Sequence, residues 1–211
     1  MKPLAIFGGT FDPIHFGHLN AAWEAAELLD AEVRMMPARV PPHRPAPIAS
    51  AMQRAAMVHA ALRDQSRLVL DTRELDRDGP SYTIDTLQGL RAEEGDRPLV
   101  LLLGADAFAG LPSWHRWREL FDVAHVAVLH RPGASAELPH ELAEMIAERR
   151  VPDPTDLRGV VAGRVIHLQI TPLEISATRI RELLQADRDA RYLLPPGLFD
   201  DTTLLAPYRR R

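Results

Sequence analysis

Residues 7–18 read FGGTFDPIHFGH. His15 and His18 stand three positions apart, with Gly17 between them and Gly8 and Gly9 upstream. An imidazole can donate hydrogen bonds to phosphoryl oxygens, and its protonated form adds positive charge. Gly8 and Gly9 permit a tight turn and let backbone approach a ligand closely. Gly17 falls where a helix begins, and the free N–H groups of a helix start favour a phosphate. Three chemistries fit these residues. They could bind phosphate, they could be two structural histidines beside a turn, or they could form a His-x-x-His metal pair with Asp12 as third ligand. The stretch is neither G-x-G-x-x-G nor G-x-x-x-x-G-K-[ST], so the two commonest phosphate fingerprints are absent.

A second stretch points to an anion. In PLEISATRIRELL (172–184), Ser176 is a good N-cap before a helical run. A capping box would place an acid or glutamine at 179, but the residue is Arg179, and Arg181 follows. Exposed cations near a helix start oppose its dipole by ~0.3–1 kcal/mol each. With Ser176 and Thr178 beside them, the arginines are arranged as if around an anion that the chain does not supply. The competing reading turns both arginines into water or pairs them with Glu174 and Glu182. Among the aromatics, Trp114 lies in the loop GLPSWHRW and Tyr82 at a helix start. Either could stack on a flat ring, or cover the protein's own apolar surface. Trp23 and Trp117 stand at helical positions and read as packing. The double proline of PPHR (41–44) stiffens a loop that presents His43 and Arg44.

The elements that must position these residues alternate. Strand-like runs occupy 3–7, 32–37, 67–71, 98–104, 123–131 and 164–170. Helical patterns occupy 18–30, 49–64 with Ser50 as N-cap, 81–95 with Ser81 as N-cap and Gly95 at the exit, and a segment from about 176. Alternation of this kind predicts an α/β fold, a parallel sheet with helices on both faces. Ligands then collect beyond the carboxyl ends of the strands, where the strand order reverses. FGGTFDPIHFGH follows the first strand and GADAF (104–108) the fourth. The proline-rich segment 37–48 and the segment 150–159 read as irregular. Without repeats or a sharp shift of composition, residues 1–211 read as one domain.

Bulk properties narrow the class. The net charge is −4, and the only strongly basic run is Arg209–Arg211 at the end, read as a solvated tail, so no nucleic-acid surface is expected. No cysteine is present, which excludes thiolate catalysis and Cys-type zinc sites and fits a cytoplasmic location. The opening lacks the apolar segment of a signal peptide, and the longest apolar run, 99–105, is too short to span a bilayer, so no membrane partner is expected. Of 25 basic residues Lys2 is the sole lysine, so any phosphate grip falls to arginine, histidine, hydroxyls or backbone N–H groups. Oligomeric state, a homo-oligomer included, stays open.

FGGTFDPIHFGH and ISATRIR resemble the nucleotidyltransferase superfamily that carries a His-x-Gly-His motif. PPHR, PSYTIDTL, GADAF…LPSWHRW and HRP (130–132) resemble, within it, the bacterial nicotinate-nucleotide adenylyltransferases. The resemblance runs from residue 4 to about 184, in the family's order. It departs at Ala177, where many members carry a second serine. It implies a Rossmann-like doubly wound sheet and adenylyl transfer from ATP to nicotinic acid mononucleotide, giving the deamido dinucleotide and pyrophosphate, a step of NAD biosynthesis. Mg²⁺ would be held chiefly through the ATP phosphates and water, with no protein metal ligands expected. His15 and His18 would be catalytic, holding the ATP phosphates. Gly8, Gly9, Thr10 and Phe11 would supply backbone around them, with Asp12 organising the turn. Ser176, Thr178 and Arg181 would bind the β/γ end of ATP, and Gly104 and Asp106 a ribose. Tyr82 and Trp114 would bracket the pyridine ring, with N–H donors near Thr83 on its carboxylate. His43, Arg44 and Arg131 would be candidates for the mononucleotide phosphate.

Overall fold

The structure, a computed structural model, describes residues 1–40, 46–63, 65–77, 79, 81–130 and 137–209. The strands are β1 (Leu4–Gly9), β2 (Glu32–Pro37), β3 (Leu68–Leu70), β4 (Leu99–Gly104), β5 (His125–His130), β6 (Arg150–Val151) and β7 (Val165–Gln169). They form one sheet in the order β3-β2-β1-β4-β5-β7-β6, and every described pairing is parallel. The helices are α1 (Phe16–Leu29), α2 (Ala51–Ala61), α3 (Thr83–Glu94), α4 (Ala105–Ala109), α5 (Leu120–Val123), α6 (His140–Ile146) and α7 (Ala177–Gln185), with short 3₁₀ turns between them and after α7.

Strand side chains alternate between two cores, as the two-residue period requires. Leu99, Leu101, Leu103, Val126 and Val128 pack with Ile84, Leu87, Leu90, Phe108, Phe121 and Leu142 on one face. Val100, Leu102, Ala127 and Leu129 pack with Ala22, Ala25, Leu29, Met57, Val58, Ile180 and Leu184 on the other. Helices therefore cover both faces, and the fold is the doubly wound Rossmann-like α/β arrangement. No helix among the described residues is long and apolar enough to cross a membrane.

The strand order reverses between β1 and β4, and there the ladder splits. Leu4 to Ile6 pair with Leu99 to Leu101, after which β1 continues on β2 alone and β4 on β5 alone. Parting neighbours leave a crevice at their carboxyl ends.

Local signals explain most boundaries. Ser50 caps α2 in a reciprocal box with Gln53, and Ser176 accepts from the Arg179 amide at 3.2 Å. Ser81 is a correction. Tyr82 occupies the N-cap of α3 and makes no side-chain cap bond, while the Ser81 hydroxyl accepts from the Arg39 amide at 3.1 Å and bonds the buried Glu74. A hydroxyl beside a buried carboxyl is drawn there rather than to the helix start. The segment 150–159, read as irregular, contains β6 and a 3₁₀ turn at Pro154–Leu157. Trp117 is core, but Trp23 is 37% exposed under the Arg67 guanidinium, so its helical position did not imply burial.

Candidate active site

The turn after β1 is built from close approaches. Phe11 adopts φ 49° and is buried, which folds its ring back over Gly9. A Cβ on Gly9 would come within 2.8 Å of that ring, so only glycine fits. Gly8 faces open space, as does Gly104 at the end of β4, so the two lips of the crevice carry no side chain. Asp106 lies exposed in the first turn of α4.

His15 is the N-cap of α1 and His18 lies in its first turn. Their rings stack with centroids 3.7 Å apart, and Phe11 meets His18 edge-on at 5.1 Å. The two imidazoles therefore form one unit at the amino end of a 14-residue helix, where the dipole favours an anion. Asp12 does not join them as a ligand. Its carboxylate accepts from the Ile48 amide (2.9 Å), the Ala49 amide (3.1 Å) and the Tyr208 hydroxyl (2.7 Å). Those three donors engage both of its oxygens, and among the described residues no three His, Cys, Asp or Glu side chains are grouped so as to hold a metal ion.

The second stretch meets this turn directly. Arg181 Nη1 donates to the Asp12 carbonyl at 2.7 Å, and Nη2 to the Thr178 hydroxyl at 3.2 Å. A Cβ on Gly17 would lie 3.3 Å from the Ile175 carbonyl, so the start of α1 rests against the entry to α7. Ser176 and Thr178 are exposed beside it. The two arginines divide. Arg181 turns inward, whereas Arg179 pairs with Glu182 at 3.4 Å on the surface.

The middle blocks gather elsewhere on the same edge. Tyr82 and Trp114 border the core face that α3 covers, and Thr83 opens α3. The Tyr82 ring lies 4.4 Å from that of His115 and is tilted by 34° to it; the sequence did not single out His115, although it directly follows Trp114. One turn into α3, the Thr86 hydroxyl donates at 2.9 Å to the buried Glu74. Burial pushes the Glu74 carboxyl above its ordinary range, against the hydrogen bonds from Thr86 and Ser81. His43, Arg44 and Arg131 lie outside the described residues.

Two further residues hold the site without having been read from the sequence. Arg54 on α2 is 1% exposed and donates to the carbonyls of Thr10 (2.6 Å), Ala38 (2.7 Å), Arg39 (3.1 Å) and Ala49 (3.3 Å). Its signal was a charge on the apolar stripe that Met57 and Val58 mark. Tyr208 carried a weaker one, an aromatic after Leu204 and Leu205 in the final segment. A separate cavity of about 500 Å³, lined by Glu144, Arg149 and Arg164 among others, lies before the starts of β6 and β7, away from this edge.

Fold and geometry define a class, a Rossmann-like α/β protein whose strand-order reversal lies beside a histidine-bearing helix start. Comparison with known proteins narrows it. The cytidylyltransferase-like family model matches residues 6–183. A protein of Dechloromonas aromatica, named "Probable nicotinate-nucleotide adenylyltransferase", is 50% identical over 99% of this chain and 98% of its own. One of the same name from Methylococcus capsulatus is 48% identical over 93% and 95%. The solved Plasmodium falciparum nicotinic acid mononucleotide adenylyltransferase complexed with NaAD superposes with a TM-score of 0.72 at 17% identity, over 99% of this chain and 96% of that one, a likeness of fold. The chain belongs to the cytidylyltransferase-like family and, within it, to the nicotinate-nucleotide adenylyltransferases.

Proposed function

We propose that this chain, as one domain, transfers the adenylyl group of ATP to nicotinic acid mononucleotide, releasing pyrophosphate and forming the deamido dinucleotide. The observation that supports the site reading best is the contact of its two halves. The Arg181 guanidinium bonds the Asp12 carbonyl at 2.7 Å, so the glycine turn and the start of α7 can face one triphosphate.

The mononucleotide phosphate is already anionic at neutral pH and needs no general base. Its oxygen attacks the α-phosphorus in line, the bond from that phosphorus to the bridging oxygen breaks, and the electron pair leaves with pyrophosphate. The protein must bring two anions together and stabilise the departing charge. In this reading the stacked His15–His18 pair and the start of α1 meet the α- and β-phosphates. Backbone from Gly8 to Phe11 lines them. Ser176, Thr178 and Arg181 take the β/γ end. Arg181 spends two donors on the protein and, with five N–H groups, keeps others for phosphate. Gly104 and Asp106 meet a ribose. Tyr82 and Trp114 flank the pyridine ring, and amides near Thr83 meet its carboxylate. His43, Arg44 and Arg131 remain the choice for the mononucleotide phosphate.

Mg²⁺ would arrive on the ATP phosphates and neutralise part of their charge. With both Asp12 carboxylate oxygens engaged by the protein, its ligands would be chiefly phosphate oxygens and water.

An acceptor screen with MgATP tests the function. Nicotinic acid mononucleotide should release pyrophosphate faster than the amide mononucleotide or phosphopantetheine. Faster release with phosphopantetheine would assign the chain to a sister transferase. ATP binding without release from any acceptor would make it a nucleotide sensor.

A further inference from the structure

Asp12 does more than shape a turn. Its side chain ties the turn to the segment at 48–49, which leads into α2, and its carbonyl ties it to α7 through Arg181. The remaining bond goes to the far end of the described chain. Tyr208 ends a 3₁₀ turn at Ala206–Tyr208, is 1% exposed, and donates to Asp12 Oδ1 at 2.7 Å. The segment that delivers it is fixed by Leu194, Leu198 and Leu205, all buried in the core face shared with α1 and α7. Burial first, and then the Asp12 carboxylate it bonds, push the phenol well above its ordinary range, so it remains a neutral donor at working pH. Arg54 completes the grip by holding the Thr10 carbonyl at 2.6 Å.

Core packing alone would be satisfied by phenylalanine. The hydroxyl instead reaches a buried carboxylate three positions before His15. An unmade bond to such a carboxylate leaves the turn one donor short, and a buried acceptor seeks another partner by moving.

We infer that Tyr208 is a positioning residue for adenylyl transfer: its hydroxyl, through Asp12, holds the turn that sets His15 and the first turn of α1 against the ATP phosphates. This rests on the proposed function. Tyr208 touches no reacting atom and acts through the placement of groups that do. Small displacements of such groups are costly, because a shift of about 1 Å can lower a rate about 100-fold.

The test is Tyr208→Phe, with kcat and KM from pyrophosphate release well below the melting temperature, and amide exchange measured on the same protein. A turn displaced by a fraction of an ångström should cost kcat about tenfold, with KM for the mononucleotide within about twofold. The Ile48 and Ala49 amides, which share the carboxylate with Tyr208, should exchange faster, while Val126 to Leu129 stay unchanged. Ile146→Val, in the opposite core face, is the control for lost stability and should leave kcat unaltered. If Tyr208→Phe does not fold, Asp12→Asn takes its place, with the same expected direction. Unaltered kcat in the folded variant, or a kcat loss that Ile146→Val reproduces, overturns the inference. A wild-type protein that transfers to no acceptor would overturn the proposed function alone, and the exchange at Ile48 and Ala49 would then decide whether Tyr208 holds the turn.

Discussion

Adding one methyl group at Gly17 should separate site geometry from stability. A Cβ built there meets His15 Nδ1 at 3.0 Å, His15 Cε1 at 3.1 Å and the Ile175 carbonyl at 3.3 Å. Favourable non-bonded contacts lie at about 3.5–4.0 Å, so the methyl overlaps its neighbours by roughly half an ångström. Neither side gives way freely. The His15 ring is stacked on His18 at 3.7 Å, and Ile175 is backbone immediately before the cap of α7. The methyl is thus a wedge between the two halves of the site. If about 1 Å of misplacement costs about 100-fold, half of that costs about tenfold in kcat. Stability should fall by about 0–2 kcal/mol, because alanine gains up to about 1 kcal/mol over glycine in a helix, against about 1–3 kcal/mol for overpacking, so the melt must show the protein folded at the assay temperature. The assay is pyrophosphate release at saturating ATP and mononucleotide, beside a thermal melt. A Gly17→Ala protein with kcat within about twofold of wild type would refute the reasoning, since the halves could then part without consequence.

Other expectations address single residues. His18→Ala removes the ring that lies against both His15 and Phe11, and should lower kcat at saturating ATP by about 10²–10³ if it stabilises departing charge; turnover within a few-fold would take His18 out of that role. Trp114→Ala should raise KM for the mononucleotide about tenfold, the worth of one ring contact, and leave KM for ATP alone; equal losses for both substrates would place the ring elsewhere. Burial holds the fully enclosed His125 below its ordinary value of 6.5, with Nδ1 accepting from the Arg164 amide and Nε2 donating to the Val160 carbonyl. A base depressed in the folded state binds fewer protons there than when unfolded, so its contribution is complete above the free value and declines as pH falls below it. Melting temperature should therefore drop from about pH 6.5 downward, and His125→Gln should flatten that slope.

The sheet was legible because its strands obey simple rules. PLVLLLG is a buried run with no polar face, which a parallel strand covered on both sides demands, and β4 spans most of it. His15 and His18 were legible as a pair because three residues at a helix start bring side chains to one side. Ser81 misled because a hydroxyl before a helix has other partners whenever a buried acid lies near, and Glu74 is eight per cent exposed but seven positions away in sequence. His115 was hidden by its neighbour, since Trp114 is the larger ring and only coordinates show which one meets Tyr82. Arg54 and Tyr208 were harder still. Each serves a residue more than 40 positions away, and no local pattern records a partner at that distance.

That remoteness bears on how the site comes to exist. The Asp12 carbonyl is bonded by a residue 169 positions later, and its carboxylate by one 196 positions later. Local forces can form the turn and begin α1, but closing such long loops carries an entropic cost that only tertiary packing offsets. The packing is present, because Leu183 and Leu184 of α7 and Leu198 and Leu205 of the final segment are buried in one core with Ala22 and Leu29 of α1. Burying each of these four leucines of α7 and the final segment contributes about 1.5–3 kcal/mol, so together they outweigh the two charge-assisted bonds, at about 1.5–3 kcal/mol each. Apolar burial therefore brings the ends of the chain together, and Arg181 and Tyr208 then fix where the turn sits. On this division of labour the two polar residues govern the geometry of phosphate contact, while the leucines around them govern whether the fold forms.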